Sequence, residues 1–376
     1  MITFRYIKMK LRRAIHDFRT QLRNACRIRL KPILYTDYSS ASIVKEGFTE
    51  KISNDWEYSV GFSKDPFINI THPSAAYLEV NNAYLTGDQA YLFLDKNRYI
   101  DDFSEGSHID RSKIRHPISW LSETLDGIVF HLSGPNHENR GHFITQFLPR
   151  LLLMKDLLDK NPSIKVLIAP GHKTWQSEYL EILGINPDRC VSCSTGTIKT
   201  EKVMYVPFFH GSNHLVEGKY YRELRKYFSP KPIPKKYKAI FLTREDAPDR
   251  YLTNEPEVIA EIGKILGGNV HKVEMKSLTL KEKINLANSS EYIIGPMGQA
   301  LKISIYSYNS KVVILDSFKS KLDRGGGTAS LRDLAIHLGH QAIILKAQTS
   351  LKDNGNWVFP LDSFTEQFTK AVSSIK

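Results

Sequence analysis

From residue 165 to residue 345 the chain repeats one pattern. Short runs of β-branched and apolar residues, at 165–169, 204–207, 239–243, 270–273, 292–294, 311–315 and 342–345, alternate with amphipathic stretches at 174–183, 216–227, 255–266, 280–288 and 330–338. Apolar residues three and four apart mark one face of a helix, while short unbroken apolar runs suit strands covered on both sides. Strands that alternate with helices pair in parallel and return through crossovers. The chain is therefore expected to be α/β. At 376 residues it exceeds a single ordinary core, so two such domains are expected. The Pro- and Lys-rich stretch 229–236 is the natural boundary. This gives an N-terminal domain over 33–235, β-rich at its entry, and a C-terminal domain over 236–376. A last helix over 361–375 is expected to return to the first domain.

Residues 1–32 form a separate arm. They hold ten of the chain's 52 Lys and Arg and a single acid, Asp17, so most of the formal +12 charge sits there. Phe4, Ile7, Leu11, Ile15, Phe18, Leu22 and Cys26 fall on one helical face between basic flanks. A basic amphipathic helix of this kind suits an anionic membrane surface, and residues 1–30 are expected to hold the protein there. Aromatic residues do not interleave with the basic ones, which argues against nucleic acid as a partner. No apolar run reaches the length of a spanning helix, and the first residues lack the apolar core of a signal peptide. Three cysteines make no disulfide framework, and Cys190 and Cys193 lack the second pair that zinc would need. A cytoplasmic protein at the inner face of the cell membrane is expected, with no metal and no resident cofactor.

Two stretches of the C-terminal half suit an anion. Residues 291–306, EYIIGPMGQALKISIY, read as a buried strand, a tight turn and a helix opening near Gln299. The first amides of a helix lack intrahelical acceptors and face a negative ligand favourably. The turn Gly295-Pro296-Met297-Gly298, followed by Gln299 and Ala300, is the candidate seat. In residues 241–255, FLTREDAPDRYLTNE, Arg244 and Arg250 lie on a loop that leaves the carboxyl end of a strand, where open α/β sheets bind ligands. Guanidinium forks match phosphate oxygens. Asp316, at the end of the next strand, is a candidate for a ribose or sugar contact.

A second polar group precedes the helix near His142. Asn136, His137, Glu138, Asn139, Arg140 and His142 crowd a Gly-rich loop, followed by a face of Phe143, Phe147, Leu151, Met154 and Leu158. Such a loop offers donors, acceptors and a base.

These stretches together resemble glycosyltransferase family 61. Thr243-Arg244, Arg250 and Asn254-Glu255 are similar to its S/T-R-(x)-R-(x)-N-E signature. IIGPMGQALKISIY is similar to its I-V-G-x-H-G-A-x-L-x-N segment, ENRGHFITQFLPRL to its N-Y-x-H-W-x-x-E-x-L-P-R-L segment, and Leu334–Gly339 to its closing L-A-x-x-L-G. The resemblance spans about residues 128–345. It implies two Rossmann-like domains facing across a cleft (GT-B type) and an inverting, metal-independent transfer of a sugar from a nucleotide-sugar donor. The acceptor would be a glycan or lipid-linked glycan, as in bacterial capsular polysaccharide synthesis. Arg244 and Arg250 would hold the donor diphosphate, and Gly295 to Ala300 would bind it through backbone amides. Asn136, His137, Asn139, Arg140 and Gln146 would face the acceptor.

Two positions depart from the family pattern. Met297 stands where the family has histidine, and Gln146 where it has a carboxylate four residues after the helix histidine. An amide takes no proton near neutral pH, so the base falls to His142 or Glu138. His142 titrates in the right range without help, whereas Glu138 needs burial. A glycan-binding scaffold without turnover is the alternative on the same fold. No G-x-G-x-x-G follows an early strand, which argues against a nicotinamide enzyme.

Overall fold

The computed structural model describes residues 31–34, 41–45, 48–53, 57–59, 67–72, 75–87, 89–101, 117, 122–168, 173–193, 196–210, 215–245, 251–317, 327–347 and 356–374. The basic arm, residues 1–30, and Arg250 lie outside them. Among these residues the strands are β1 (Lys31–Leu34), β2 (Ala41–Lys45), β3 (Phe48–Ser53), β4 (Glu57–Ser59), β5 (Phe67–His72), β6 (Ala75–Thr86), β7 (Tyr91–Phe93), β8 (Arg98–Asp101) and β9 (Ser122–His131). They continue with β10 (Lys165–Ile168), β11 (Cys190–Ser192), β12 (Thr197–Tyr205), β13 (Tyr237–Leu242), β14 (Val270–Val273), β15 (Ser290–Pro296), β16 (Lys311–Asp316) and β17 (Gln341–Lys346). The α-helices are α1 (Arg140–His142), α2 (Leu148–Leu153), α3 (Lys155–Lys160), α4 (Lys173–Ile182), α5 (Gly218–Phe228), α6 (Glu255–Leu266), α7 (Leu280–Asn288), α8 (Gly327–His337) and α9 (Leu361–Ser374).

The chain divides into two units, one drawn from residues 1–47 and 73–209, the other from 48–72 and 210–376. In the first unit a nine-stranded sheet runs β1-β8-β7-β6-β12-β9-β10-β11, with β2 also on β6. Its β12-β9-β10-β11 portion is parallel, and β6, β7 and β12 pair antiparallel. Leu78, Val80, Val129, Leu167, Val203 and Tyr205 pack together on one face of this sheet.

The second unit carries a six-stranded sheet, β14-β13-β15-β16-β17-β4, in which every pairing is parallel. The alternation seen in the sequence is its cause, since β14 to β17 are each reached from the preceding strand through a crossover. Numbered within the unit, β13 to β17 take the order 2-1-3-4-5. The chain therefore reverses direction across the sheet between β13 and β15. On one face α6 and α9 bury Val258, Ile262, Phe364, Phe368 and Ala371 against Phe241, Tyr292, Ile294, Val313 and Ile343. Each fully buried phenylalanine there stabilises the unit by roughly 1.5–3 kcal/mol. On the other face lie α5, α7, α8 and a 3₁₀ helix, Gln299–Tyr306.

Two sequence expectations take a different form. The last helix, read from the sequence as a possible return to the first domain, lays its apolar stripe on the second unit's own sheet. The stretch 229–236 is not a free linker. Tyr308 donates its hydroxyl to the Ser229 carbonyl (2.7 Å) and Asn288 its amide to the Lys231 carbonyl (3.0 Å). Lys235 donates to the Tyr308 carbonyl (2.8 Å), which fastens the stretch inside the second unit together with α5. The helix ends follow local chemistry. Thr279 and Glu282 form a reciprocal capping box at α7, and Gly267 closes α6 at φ 65°, a conformation that glycine adopts without strain.

Candidate active site

In the second unit the carboxyl ends of β13 and β15 lie side by side, at the reversal of strand order. Open α/β sheets bind ligands in the crevice at this point. The loop after β13 begins with Thr243 and Arg244, and the turn after β15 with Met297 and Gly298. The two meet. A Cβ placed on Gly298 would stand 2.3 Å from Arg244 Nη1, so the guanidinium lies directly over this glycine. Gly298 has an extended backbone (φ 174°), so its need for glycine is one of space. Gly295 is also close-packed: a Cβ there would stand 2.9 Å from the Leu242 carbonyl oxygen.

The helix expected after the turn is a 3₁₀ helix capped by Gly298. Its first closed bond runs from the Leu301 N–H to the Gly298 carbonyl (3.2 Å). The amides of Gln299 and Ala300 precede that bond and stand outside the helical ladder. Gln299 is exposed, and Met297, Gly298 and Ala300 are partly buried. Pro296 ends β15 and is buried. A guanidinium and two peptide amides thus border one spot at the mouth of the sheet. Met297 fastens its own amide to the Leu315 carbonyl (2.9 Å), and its sulfur rests against Gly327 at the start of α8. Behind the turn, Lys302 is buried, and burial pushes its pKa down to about 7. Asp316 ends β16 with a wholly buried side chain, so it stands beneath the surface of the site.

In the first unit the polar loop leaves the carboxyl end of β9. Asn136 adopts φ 58° and lets the chain turn back. Asn139 caps α1, its side chain accepting from the amides of Gly141 (2.9 Å) and His142 (3.3 Å). His137 is buried: its Nδ1–H donates to the Gly134 carbonyl (2.6 Å), and the Gln176 side-chain amide donates to the His137 carbonyl (2.8 Å). Arg140 lies over the Trp175 ring at 5.4 Å. Glu138 is 58% exposed and stands 3.6 Å from His137 Nε2.

His142 is only partly buried, and its Nδ1 stands 2.9 Å from Gln146 Oε1. An amide oxygen that accepts Nδ1–H fixes the neutral tautomer whose basic nitrogen is Nε2. Gln146 is itself buried. It lies in a π-helical turn, Phe143–Phe147, which widens the helix where the sequence promised regular α-helix. The apolar face expected there is real: Phe143, Phe147, Leu151, Met154 and Leu158 are all buried.

The anchor of this loop is Arg150. It is wholly buried and donates to the carbonyls of Val206 (2.6 Å), His131 (3.2 Å) and Ser133 (3.4 Å). The Phe208 ring lies 4.6 Å from its Cζ. It ties the ends of β9 and β12 to α2 and so sets where the loop begins. Burial, with the Arg150 charge beside it, pushes the pKa of His131 down to about 3. The sequence marked Arg150 only as part of a motif, since nothing local announces a buried guanidinium. Gln176, Trp175 and Lys302 gave no signal either, because their importance comes from neighbours distant in the chain.

The family model for glycosyltransferase 61 matches residues 141–314, a little under half of the chain. The matched span opens in α1 beside His142, contains Arg244 and Gly298, and closes in β16. The chain carries a family 61 glycosyltransferase domain. No curated protein matches it. This glycosyltransferase has no described helix long and apolar enough to cross a membrane. Among the described residues no group of three His, Cys, Asp or Glu could hold a metal ion, and Cys190 and Cys193 are buried.

Proposed function

We propose that the enzyme transfers a sugar, with inversion and without a metal, from a nucleotide-sugar donor to a glycan or lipid-linked glycan acceptor. The reading extends to capsular or other surface polysaccharide synthesis, and to a GT-B enzyme whose second unit holds the donor and whose first unit holds the acceptor. One observation carries it: Arg244 lies over Gly298 at the switch point of a parallel sheet, beside amides that open a helix. A donor diphosphate there receives charge-assisted hydrogen bonds from Arg244 and neutral ones from the Gln299 and Ala300 amides. The leaving diphosphate gains negative charge as the bond to the anomeric carbon breaks, so these contacts strengthen in the transition state. Arg250, on the same loop, adds a second guanidinium, which fills the charge-neutralising role that a divalent cation serves in other enzymes.

On the acceptor side His142 Nε2 takes the proton of the attacking hydroxyl. Gln146 holds the imidazole in the basic tautomer through Nδ1–H. The hydroxyl oxygen forms its bond to the anomeric carbon on the face opposite the leaving diphosphate, which inverts the configuration. Asn136, His137, Asn139 and Arg140 shape the acceptor subsite. Residues 1–30 hold the enzyme on the anionic inner face of the cell membrane, beside a lipid-linked acceptor.

The test is turnover of a panel of nucleotide sugars, each with and without a glycan acceptor, in the presence of a chelator. Nuclear magnetic resonance of the product reads the anomeric configuration. An inverted product formed in chelator supports the reading, and loss of activity in chelator removes metal independence. Gln146 and Met297 favour a second reading, a glycan-binding scaffold without catalysis. It predicts glycan binding with no donor turnover under any of these conditions.

A further inference from the structure

A chain of charges runs from the interior to the turn that carries Arg244. Thr243, buried, donates its amide to the Val273 carbonyl (3.0 Å), and its hydroxyl accepts from the Glu245 amide (3.1 Å). This closes a short turn around Arg244. Glu245 then meets Lys272 Nζ at 2.7 Å, and the same ammonium stands 3.0 Å from Glu255 Oε1. Lys272 lies opposite Phe241 in the β14–β13 register, on the face covered by α6. Glu255, the first residue of α6, is wholly buried.

Exposed ion pairs contribute little, because water screens them and ordering two long side chains costs entropy. This chain differs at its inner end. Glu255 cannot be left without a counter-charge in the interior, and it sits where the N-terminus of α6 favours a carboxylate. Lys272 is drawn inward by that fixed charge and presents its ammonium to Glu245 at a defined height. Burial lowers the pKa of Lys272, but hydrogen bonds to Glu245 and Glu255 outweigh it and hold the value above the ordinary lysine range. Lys272 thus remains a cation throughout the neutral range. Asn254, beside Glu255, bonds the Phe359 backbone in both directions (2.8 and 3.0 Å), so the inner end of the chain is itself fixed.

We propose that Lys272 is a positioning residue for donor binding: by bridging buried Glu255 to Glu245 it holds the turn that carries Arg244 over Gly298. The inference rests on the reading of Arg244 as a diphosphate contact. Lys272 and Glu245 need touch no substrate. They restrict the turn before the donor arrives, so that less order is lost when it binds.

The test is a double-mutant cycle on the full chain, with inorganic pyrophosphate as the calorimetric probe. Arg244→Ala weakens pyrophosphate if the underlying reading is right. Lys272→Met is then expected to weaken it roughly three- to ten-fold in the wild-type background, and to have no effect in the Arg244→Ala background. Lys272→Arg restores binding, since a second cation can bridge the two carboxylates. Glu245→Gln cuts the link at its exposed end, leaves buried Glu255 paired, and reproduces the Lys272→Met loss without lowering Tm. Equal losses in both backgrounds, or wild-type binding by Glu245→Gln and Lys272→Met while Arg244→Ala is impaired, would overturn the positioning role alone. Unimpaired binding by Arg244→Ala, or no pyrophosphate binding by the wild type, would overturn the reading of Arg244 and this inference with it.

Discussion

Substituting Gly298 by alanine separates the function of the turn from its stability. The added methyl would stand 2.3 Å from Arg244 Nη1, well inside contact distance. What it meets is the far end of a long side chain, and the backbone at 298 is extended, so alanine fits there without strain. The fold is therefore expected to tolerate the change, with a loss of stability below about 1 kcal/mol. Arg244, however, must swing away from the turn. A charge-assisted hydrogen bond contributes roughly 1.5–3 kcal/mol net. At 1.4 kcal/mol per factor of ten, its loss weakens a nucleoside diphosphate by about 10- to 150-fold. Gly295→Ala gives the contrast, because its methyl would stand 2.9 Å from a backbone carbonyl and 3.2 Å from Leu242 Cβ, neither of which can yield without shifting β13. Overpacking of that kind costs about 1–3 kcal/mol of stability. Calorimetric titration gives the affinities and thermal unfolding gives the stabilities. Unchanged diphosphate affinity in Gly298→Ala, at unchanged Tm, would refute the placement of the diphosphate at this turn.

Other substitutions and conditions probe the remaining parts. His142→Ala should lower kcat by at least about 10²-fold with Tm preserved, and wild-type kcat would move the base elsewhere. Gln146→Glu sets a carboxylate against His142 Nδ1, so the acidic limb of the kcat/KM profile should shift to higher pH; an unmoved limb removes His142 as the titrating group. Arg150→Leu leaves three strand-end carbonyls without their donor and should destabilise the first unit by about 2–5 kcal/mol, read as an earlier unfolding step. Burial holds His340 near pKa 3, with the Ser304 carbonyl on Nε2 opposing, while Nδ1 accepts the Ser310 amide. With His131 also near 3, the unfolded chain binds more protons than the folded one between about pH 3 and 6.5. Stability is thus full above 6.5 and falls on acidification, by up to about 1.4 kcal/mol per pH unit for each histidine. His340→Gln should flatten the slope in denaturant titrations. Deleting residues 1–30 should release the enzyme from anionic vesicles and leave turnover on soluble acceptors intact; retained vesicle binding contradicts the membrane role of the arm.

What the sequence disclosed depended on how local the cause was. The helices at 255–266 and 280–288 were legible to the residue, because a capping box, an αL glycine and a clear period of apolar residues are written within each segment. The convergence of Arg244 and Gly298 was foreseeable from two separate motifs, since both leave the carboxyl ends of parallel strands and neighbouring strands bring such ends together. The division of the chain was less legible. Residues 229–236 have the composition of a linker, yet their carbonyls are claimed by Tyr308 and Asn288, partners more than fifty residues away. The last helix has an apolar stripe that any apolar surface could accept, and only the folded sheet shows which one does. The π turn around Gln146 and the 3₁₀ geometry after Gly298 keep ordinary helical composition, so nothing in the sequence distinguishes them from α-helix. Nothing in the segment 270–273 sets Lys272 apart from other charged residues. Its role depends on Glu255 being buried beside it, which is a property of packing.

The central claim is that a nucleotide-sugar diphosphate sits over the Gly298 turn. A crystal structure of the enzyme with a bound nucleoside diphosphate tests it most directly. The account predicts diphosphate oxygens within hydrogen-bond distance of the Arg244 guanidinium and of the Gln299 or Ala300 amide. A diphosphate bound elsewhere, with Arg244 still lying over Gly298 and touching no phosphate, would contradict it.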